Sequence, residues 1–402
     1  MNFKRRLSVV QKIAAVVAVL FAIGLLLIFF AATRPLAPTP GTVHPIQNNA
    51  SRPVDFIWSE SGQAAIGTAE HGLKATFGDE APRPTASLAK VITALVVLDA
   101  KPFTGDGPLV TMGQADVDAY WRVLGLNGTN LHVELGEQLT QRQMLDAIML
   151  ASANNIADSL AIWAFGSHAE YKNAAEEWLR QHGLTHTTIG ADASGYDPGT
   201  TSTPSDLFEI GRLALNNPTL AQTMRQSTAV LPIEGEVKNT NRLLTEGQGA
   251  IGLKTGNSDQ AGSCLLFAFE RRVDSQPVTV IGVLLGQEFG TTFDTARALA
   301  DSAFDGLGTK KMPARSVVGE YVLPWGKAVE IVTASAYETV TWHDEAIQPE
   351  IVIRDLEIPV GGQRTVGSIT AGGISHDLVV DAIVPTPDLW WRLTHLDMLK
   401  WL

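Results

Sequence analysis

Ser87 and Lys90 stand three residues apart in the segment Ser87-Leu88-Ala89-Lys90. On a helix that spacing puts the hydroxyl and the amine on one face. A hydroxyl is a weak nucleophile at neutral pH and needs a neighbouring base. A lysine on an otherwise apolar helix can act as one, because burial disfavours its ammonium form and lowers its pKa. A first helical turn adds free N–H groups and a dipole that favours negative charge. Alone, such a Ser/Lys pair more often marks a solvated face. Two further short patterns follow in order, Ser152-Ala153-Asn154 and Lys254-Thr255-Gly256. Ser152 can relay a proton toward a leaving amine, and the Asn154 carboxamide can hold a substrate amide in register. Lys254 offers fixed positive charge for a carboxylate, with Thr255 as a second donor. Gly256 lets a substrate backbone come close. The N–H groups of Ser87 and Asn257 can together stabilise an oxyanion. The ordered triple is a strong signal where each member alone is weak.

These groups need elements to hold them. A helix is predicted from about Ala86 to Asp99, with Pro82 and Pro84 just ahead of it. Leu88, Val91, Ile92, Leu95 and Leu98 give it the spacing of a buried helix. Further helices are expected at 141–150, 155–165, 169–182 and 204–215, so the Ser152 motif falls in a loop between two of them. Strands are expected at 250–255, 264–269 and 278–285, followed by a helix at 292–304. Lys254 and Thr255 then end a strand, whose edge can pair with an extended peptide. Near the start, 55–58 and 63–66 read as two strands joined at Glu60-Ser61-Gly62. This order fits an α/β fold, a sheet with helices packed on it, over 54–307. Past 307 the character changes to short strands at 316–321, 329–332, 339–342, 351–354, 366–369 and 378–384. That pattern predicts a small all-β domain over 308–385. The last stretch, 386–402, repeats Leu389, Trp390, Leu393, Leu396, Leu399 and Leu402 at helical spacing. A Trp-rich amphipathic helix of that kind either lies in a membrane interface or docks on the β domain.

The 402 residues are 45% hydrophobic and 18% charged, which excludes wholesale disorder. The net charge of −12 and the lack of a basic tract argue against nucleic-acid binding. Cys264 is the single cysteine, so the fold has no intramolecular disulfide and no cysteine-based zinc cluster. It reads as a buried small hydrophobe. No metal site is expected: His182 and His186 flank a turn at Gly183, and no HExxH pattern occurs. Lys4, Arg5, Arg6 and Lys12 precede an uncharged run from Ile13 to Ala32. Twenty such residues span about 30 Å, a bilayer core, with the basic flank cytoplasmic and residue 34 onward outside. The run is longer than the apolar core of a cleaved signal, so residues 1–33 read as a retained anchor. Residues 34–53, with five prolines, read as an extended linker.

The three motifs, with RPTASLAKVITALVVLD, ASANNIADSLA, STPSDL, NTNRLL and GLKTGNSDQAGSCL around them, resemble the serine D-Ala-D-Ala carboxypeptidases. These are low-molecular-mass penicillin-binding proteins of peptidase family S11. The resemblance covers about 54–307. It implies a β-lactamase/transpeptidase-like fold, an antiparallel sheet flanked by helices, and an extracytoplasmic place in a bacterial cell envelope. It also implies a peptidoglycan stem peptide ending in D-Ala-D-Ala as substrate, β-lactams as inhibitors, membrane lipid as a contact, and no cofactor. Ser87 would be the nucleophile and Lys90 its base. Ser152 and Asn154 would form the relay and amide clamp, and Lys254, Thr255, Gly256 and Asn257 the substrate-binding strand. The sequence departs from the family pattern at Asn257, where many members carry an aromatic residue or His, and at Asn155, a position often acidic; Asp192–Gly195 only loosely resembles the family's segment after the LTHT turn.

Other classes share parts of this logic. A D,D-endopeptidase or transpeptidase would use the same site and differ in what attacks second. A Glu-dependent β-lactamase needs an E-x-x-L-N segment between the second and third motifs; Glu176-Glu177-Trp178-Leu179-Arg180 comes nearest and lacks the Asn. A non-catalytic sensing domain would have no need of the intact triple.

Overall fold

The computed structural model describes residues 9–46, 52–346, 349–371 and 374–399. Lys4, Arg5 and Arg6 of the basic flank, and Lys400, Trp401 and Leu402, lie outside the described residues. The chain forms two compact units. One is Ser51–Gly308 with Val340–Asp344; the other is Met1–Ala50, Thr309–Thr339 and Glu345–Leu402.

The first unit is built on a five-stranded antiparallel sheet in the order Ala250–Ser258, Gly262–Val273, Gln276–Gln287, Gln63–Thr68, Gly72–Phe77. The central strands read as unbroken apolar runs because both faces are covered. Side chains alternate across a strand. Cys264, Leu266 and Ala268 therefore enter a core built with helices Ala89–Ala100, Gln141–Met149, Asn154–Phe165 and Pro204–Asn216. Leu265, Phe267 and Phe269 enter a second core with Ala296, Leu299 and Ala303 of helix Thr292–Asp305. The fold is thus the expected antiparallel sheet flanked by helices. Ala250–Ser258, which carries Lys254 and Thr255, is an edge strand.

Two local expectations fail here. Residues 55–58 form no strand; Gln63–Thr68 pairs instead with Gly72–Phe77, across a turn closed by the His71 N–H donating to Thr68 Oγ1. The aromatic residues that made 55–58 look strand-like pack as side chains, Phe56 edge-on to Trp342 and Trp58 stacked on Phe77. Helix Gln114–Gly125 is also unanticipated. It buries only Ala119 and Val123, too few apolar positions for its period to show.

The second unit holds a six-stranded sheet in the order Gly41–Val43, Val317–Val322, Ala328–Thr333, Ile374–Val384, Val360–Ala371, Glu350–Ile353. Its first strand comes from the stretch read as a linker and pairs antiparallel with Val317–Val322. Leu36 and Leu399 form an isolated bridge, as do Thr39 and Leu356. The N-terminal helix runs Val9–Thr33 and is long and apolar enough to cross a bilayer. The Trp-rich end is not one helix over 386–402. An α-helix covers Leu389–Thr394, with Asp388 as its N-cap, and a 3₁₀ turn covers Leu396–Met398. His395 leaves the helical conformation between them, and the Thr394 hydroxyl satisfies the carbonyls of Trp390 and Trp391.

Candidate active site

Ser87 sits in a 3₁₀ turn, Ala86–Leu88, that leads directly into helix Ala89–Ala100. Ala86 has a φ of 46°, an uncommon value for a residue with a side chain, and the turn it makes lifts Ser87 out of the core. Gly195 closes on this turn. A Cβ at that position would lie 2.1 Å from the Ala86 carbonyl oxygen, and its own φ is +74°. From the other side Gly256 comes so close that a Cβ would lie 3.0 Å from the Ser87 nitrogen. That approach brings the first and third motifs together.

Lys90 is completely buried. Its Nζ lies 2.8 Å from Ser87 Oγ, 2.6 Å from Asn154 Oδ1 and 3.0 Å from the Ser194 carbonyl. Burial brings its pKa down to about 7, against the opposing pull of the Asp192 and Asp158 carboxylates. At neutral pH a large share of this amine is therefore unprotonated, as a base must be. Ser152 occupies the break between helices Gln141–Met149 and Asn154–Phe165 in a left-handed conformation, φ 62°. Lys254, also buried, donates to Ser152 Oγ at 2.9 Å and to the Thr255 carbonyl at 3.1 Å. Burial holds it well below the ordinary lysine range, and the charge of Lys90 pushes the same way. Thr255 shares a 2.6 Å hydrogen bond with the Thr240 hydroxyl. Asn257 is exposed at the end of the same strand. The eight residues singled out in the sequence thus fall on the Ser87 turn and the helix it leads into, on the Ser152 loop and the start of the next helix, and on one edge strand, joined by the Lys90–Asn154 and Lys254–Ser152 bonds.

Several participants were not assigned a role from the sequence. Ser194 belongs to a loop organised by Asp192, whose carboxylate accepts the N–H groups of Ser194, Gly195 and Asp197 at 2.7, 2.7 and 2.6 Å. Asp158, one turn beyond Asn154, ties that loop to its helix by accepting from the Ala193 N–H at 3.1 Å. Thr240 lies in the quoted NTNRLL segment, which was the one signal for it. Asn155, where an acid was expected from the family pattern, is buried and structural. Its carboxamide accepts from the Leu131 N–H at 3.0 Å and donates to the Leu131 carbonyl at 2.8 Å.

The family of D-alanyl-D-alanine carboxypeptidases, peptidase S11, matches residues 76–288, which span all three motifs. The D-alanyl-D-alanine carboxypeptidase DacB2 of Mycobacterium tuberculosis is 31% identical over 225 residues, 55% of this chain and 74% of that protein. The chain belongs to this family. It is a serine hydrolase of the penicillin-binding fold. A D-alanyl-D-alanine endopeptidase of Escherichia coli is 28% identical over 210 residues, 50% of this chain and 63% of that protein. The crystal structure of the carboxypeptidase DacD from Francisella tularensis superposes with a TM-score of 0.59 at 17% identity, over 85% of this chain and 97% of that one. That last likeness is one of fold.

Proposed function

We propose that Ser87 is the nucleophile of a D,D-carboxypeptidase that removes the terminal D-Ala from peptidoglycan stem peptides. The observation that carries this reading is the buried Lys90 amine 2.8 Å from Ser87 Oγ, its pKa brought down to about 7. Ser87 Oγ attacks the carbonyl between the two D-alanines while Lys90 Nζ takes its proton. The N–H groups of Ser87 and Asn257 receive the developing oxyanion. As the C–N bond breaks, the proton taken by Lys90 returns through the Ser152 hydroxyl to the departing amine, with Lys254 holding that hydroxyl. Water then hydrolyses the ester and frees Ser87. Asn154 orients the substrate amide, and Lys254 with Thr255 holds the terminal carboxylate against the edge strand. A β-lactam enters by the same attack, and its ring opens onto Ser87.

Lys254→Ala tests the carboxylate role. A peptide ending in D-Ala-D-Ala with a free carboxylate should lose roughly 10²-fold in kcat/KM, about the weight of one charge-assisted hydrogen bond to that carboxylate. The C-terminal amide of the same peptide should lose much less. Equal losses on both, read as D-Ala or D-alaninamide released, would remove Lys254 from carboxylate recognition. A second reading, D,D-endopeptidase action, has the similarity to the Escherichia coli relative behind it. A crosslinked peptide dimer cleaved faster than the pentapeptide would favour it.

The membrane assignment follows from how the N-terminal segment is used. Ala31 and Leu36 are buried in the core of the second unit, and Arg392 donates to the carbonyls of Ala31, at 2.5 Å, and Arg34. Cleavage after Ala32 would strip the Ala31 carbonyl from a buried guanidinium. This supports a retained anchor, with the body outside the cytoplasm. Trp391, Leu393 and Leu396 pack against the same core, whereas Trp390 is 76% exposed beside the end of the apolar helix and suits a lipid interface. Intact mass of the protein isolated from membranes should include residues 1–33; a mass beginning near residue 33 would refute retention.

A further inference from the structure

A cavity of about 220 Å³ adjoins Asn154 and Ser194, the two groups that hold Lys90 Nζ beside Ser87. Its other walls include Arg122, Leu126, Asp158, His168 and Tyr196; Lys254 and Thr255 do not line it. With a terminal carboxylate at Lys254 and the scissile carbonyl at Ser87, as proposed above, the upstream part of the peptide leaves on the Asn154 side. The cavity therefore lies where the residue preceding the two D-alanines projects its side chain.

The polar groups of the cavity differ in what they have left to offer. Asp192 accepts three backbone N–H groups and the Ser194 hydroxyl, the last at 3.0 Å. Asp158 accepts from the Ala193 N–H and from Arg122 Nη2 at 2.9 Å, and lies 3.1 Å from His168 Nε2. Both acids are occupied by the protein itself. Tyr196 donates its hydroxyl to the Leu126 carbonyl at 2.7 Å. Arg122 differs. Among the described residues its guanidinium donates to Asp158 alone, its side chain is 54% exposed, and four of its five N–H donors are left over. His168 turns its Nε2 to the same Asp158 carboxylate, which raises its pKa. The cavity thus pairs an apolar flank, Val123 and Leu126, with the unspent donors of Arg122.

We propose that this cavity is a specificity subsite for the side chain preceding D-Ala-D-Ala, and that Arg122 there pairs with a carboxylate at the end of an aliphatic chain. A side chain ending in a primary amide or an ammonium group is a poorer partner. The guanidinium can hold both carboxylate oxygens, as an ammonium point charge cannot.

The test uses the full-length protein and three peptides that differ only in the group ending that side chain: carboxylate, carboxamide or amine. Released D-Ala is followed at fixed pH and salt. The wild-type protein should favour the carboxylate peptide over the carboxamide by about fivefold in kcat/KM, the upper scale of a half-exposed ionic contact. Arg122→Gln should erase that preference, and Arg122→Lys should restore part of it. Penicillin acylation of Ser87 should be unchanged within about twofold in both variants, which separates substrate recognition from damage to the Asp158 network. Equal wild-type rates on the three peptides would overturn the proposal. So would an Arg122→Gln loss shared by all peptides and by penicillin, the result of a purely structural arginine. A wild-type protein that releases D-Ala from none of the peptides overturns the carboxypeptidase reading itself, and the subsite with it.

Discussion

Replacing Ser87 by alanine is expected to lower D-Ala release by roughly 10⁴–10⁶-fold, the cost seen when a catalytic serine is removed from an intact site. The fold should survive, because Ser87 is only half-buried and its hydroxyl contacts Lys90 rather than a core group. The variant should also gain no mass after incubation with penicillin, whereas the wild-type protein should gain the mass of one intact antibiotic. Both readouts are needed. Release without labelling would point to a hydrolysis that bypasses an acyl-enzyme. Labelling that persists in the alanine variant would place the nucleophile at another residue and end the mechanism proposed above. Cys264 is the natural competitor for such labelling. It is buried within the sheet and its thiol is raised to about 11 by burial, so it offers neither access nor thiolate.

The second large effect concerns Lys90 and pH. Its pKa is brought down to about 7 by burial, against the pull of Asp192 and Asp158, and burial lowers that of Lys254 as well. The sign follows directly. Below pH 7 Lys90 carries its proton and cannot accept another from Ser87, so penicillin acylation should fall about tenfold per pH unit. Above pH 7 the amine is free and the rate should level off. Lys90→Arg should fail at every pH, because a guanidinium stays charged, with a loss of at least 10²–10⁴-fold. Acylation rates from pH 5 to 9, read by rapid quench and mass spectrometry, check both statements. A flat wild-type profile, or an arginine variant that keeps the wild-type rate, would remove Lys90 as the base.

These expectations rest on information of two kinds. The Ser-x-x-Lys, Ser-x-Asn and Lys-Thr-Gly patterns are local. Each is three or four residues long, and each lies on an element whose period or break is visible nearby. The helix holding Lys90 was legible for that reason, as were the strands that alternate between two cores. The 25-residue apolar helix at the N-terminus needed only length and composition. Local pattern misled at 55–58, where aromatic residues that pack as side chains resemble a strand. It also misled over 386–402, where Leu and Trp keep a helical spacing although the backbone breaks at His395.

What the sequence determined, then, was the chemistry available: two serines, two lysines, an asparagine and a strand leading into Gly256, in the order one family uses. The tertiary structure decided how those groups behave. Lys90 meets Asn154 across 64 residues and Ser194 across 104, and those contacts exclude water from its amine. Burial is a property of the packed core, so the pKa of Lys90 cannot be read from its neighbours in the chain. The same holds for Gly41–Val43, a proline-flanked stretch that becomes a strand because a sheet edge with unpaired backbone groups is there to receive it. It holds also for Arg122, which sits on a helix with almost no apolar signature and acquires a role only where Asp158, His168 and Tyr196 enclose a cavity beside Asn154.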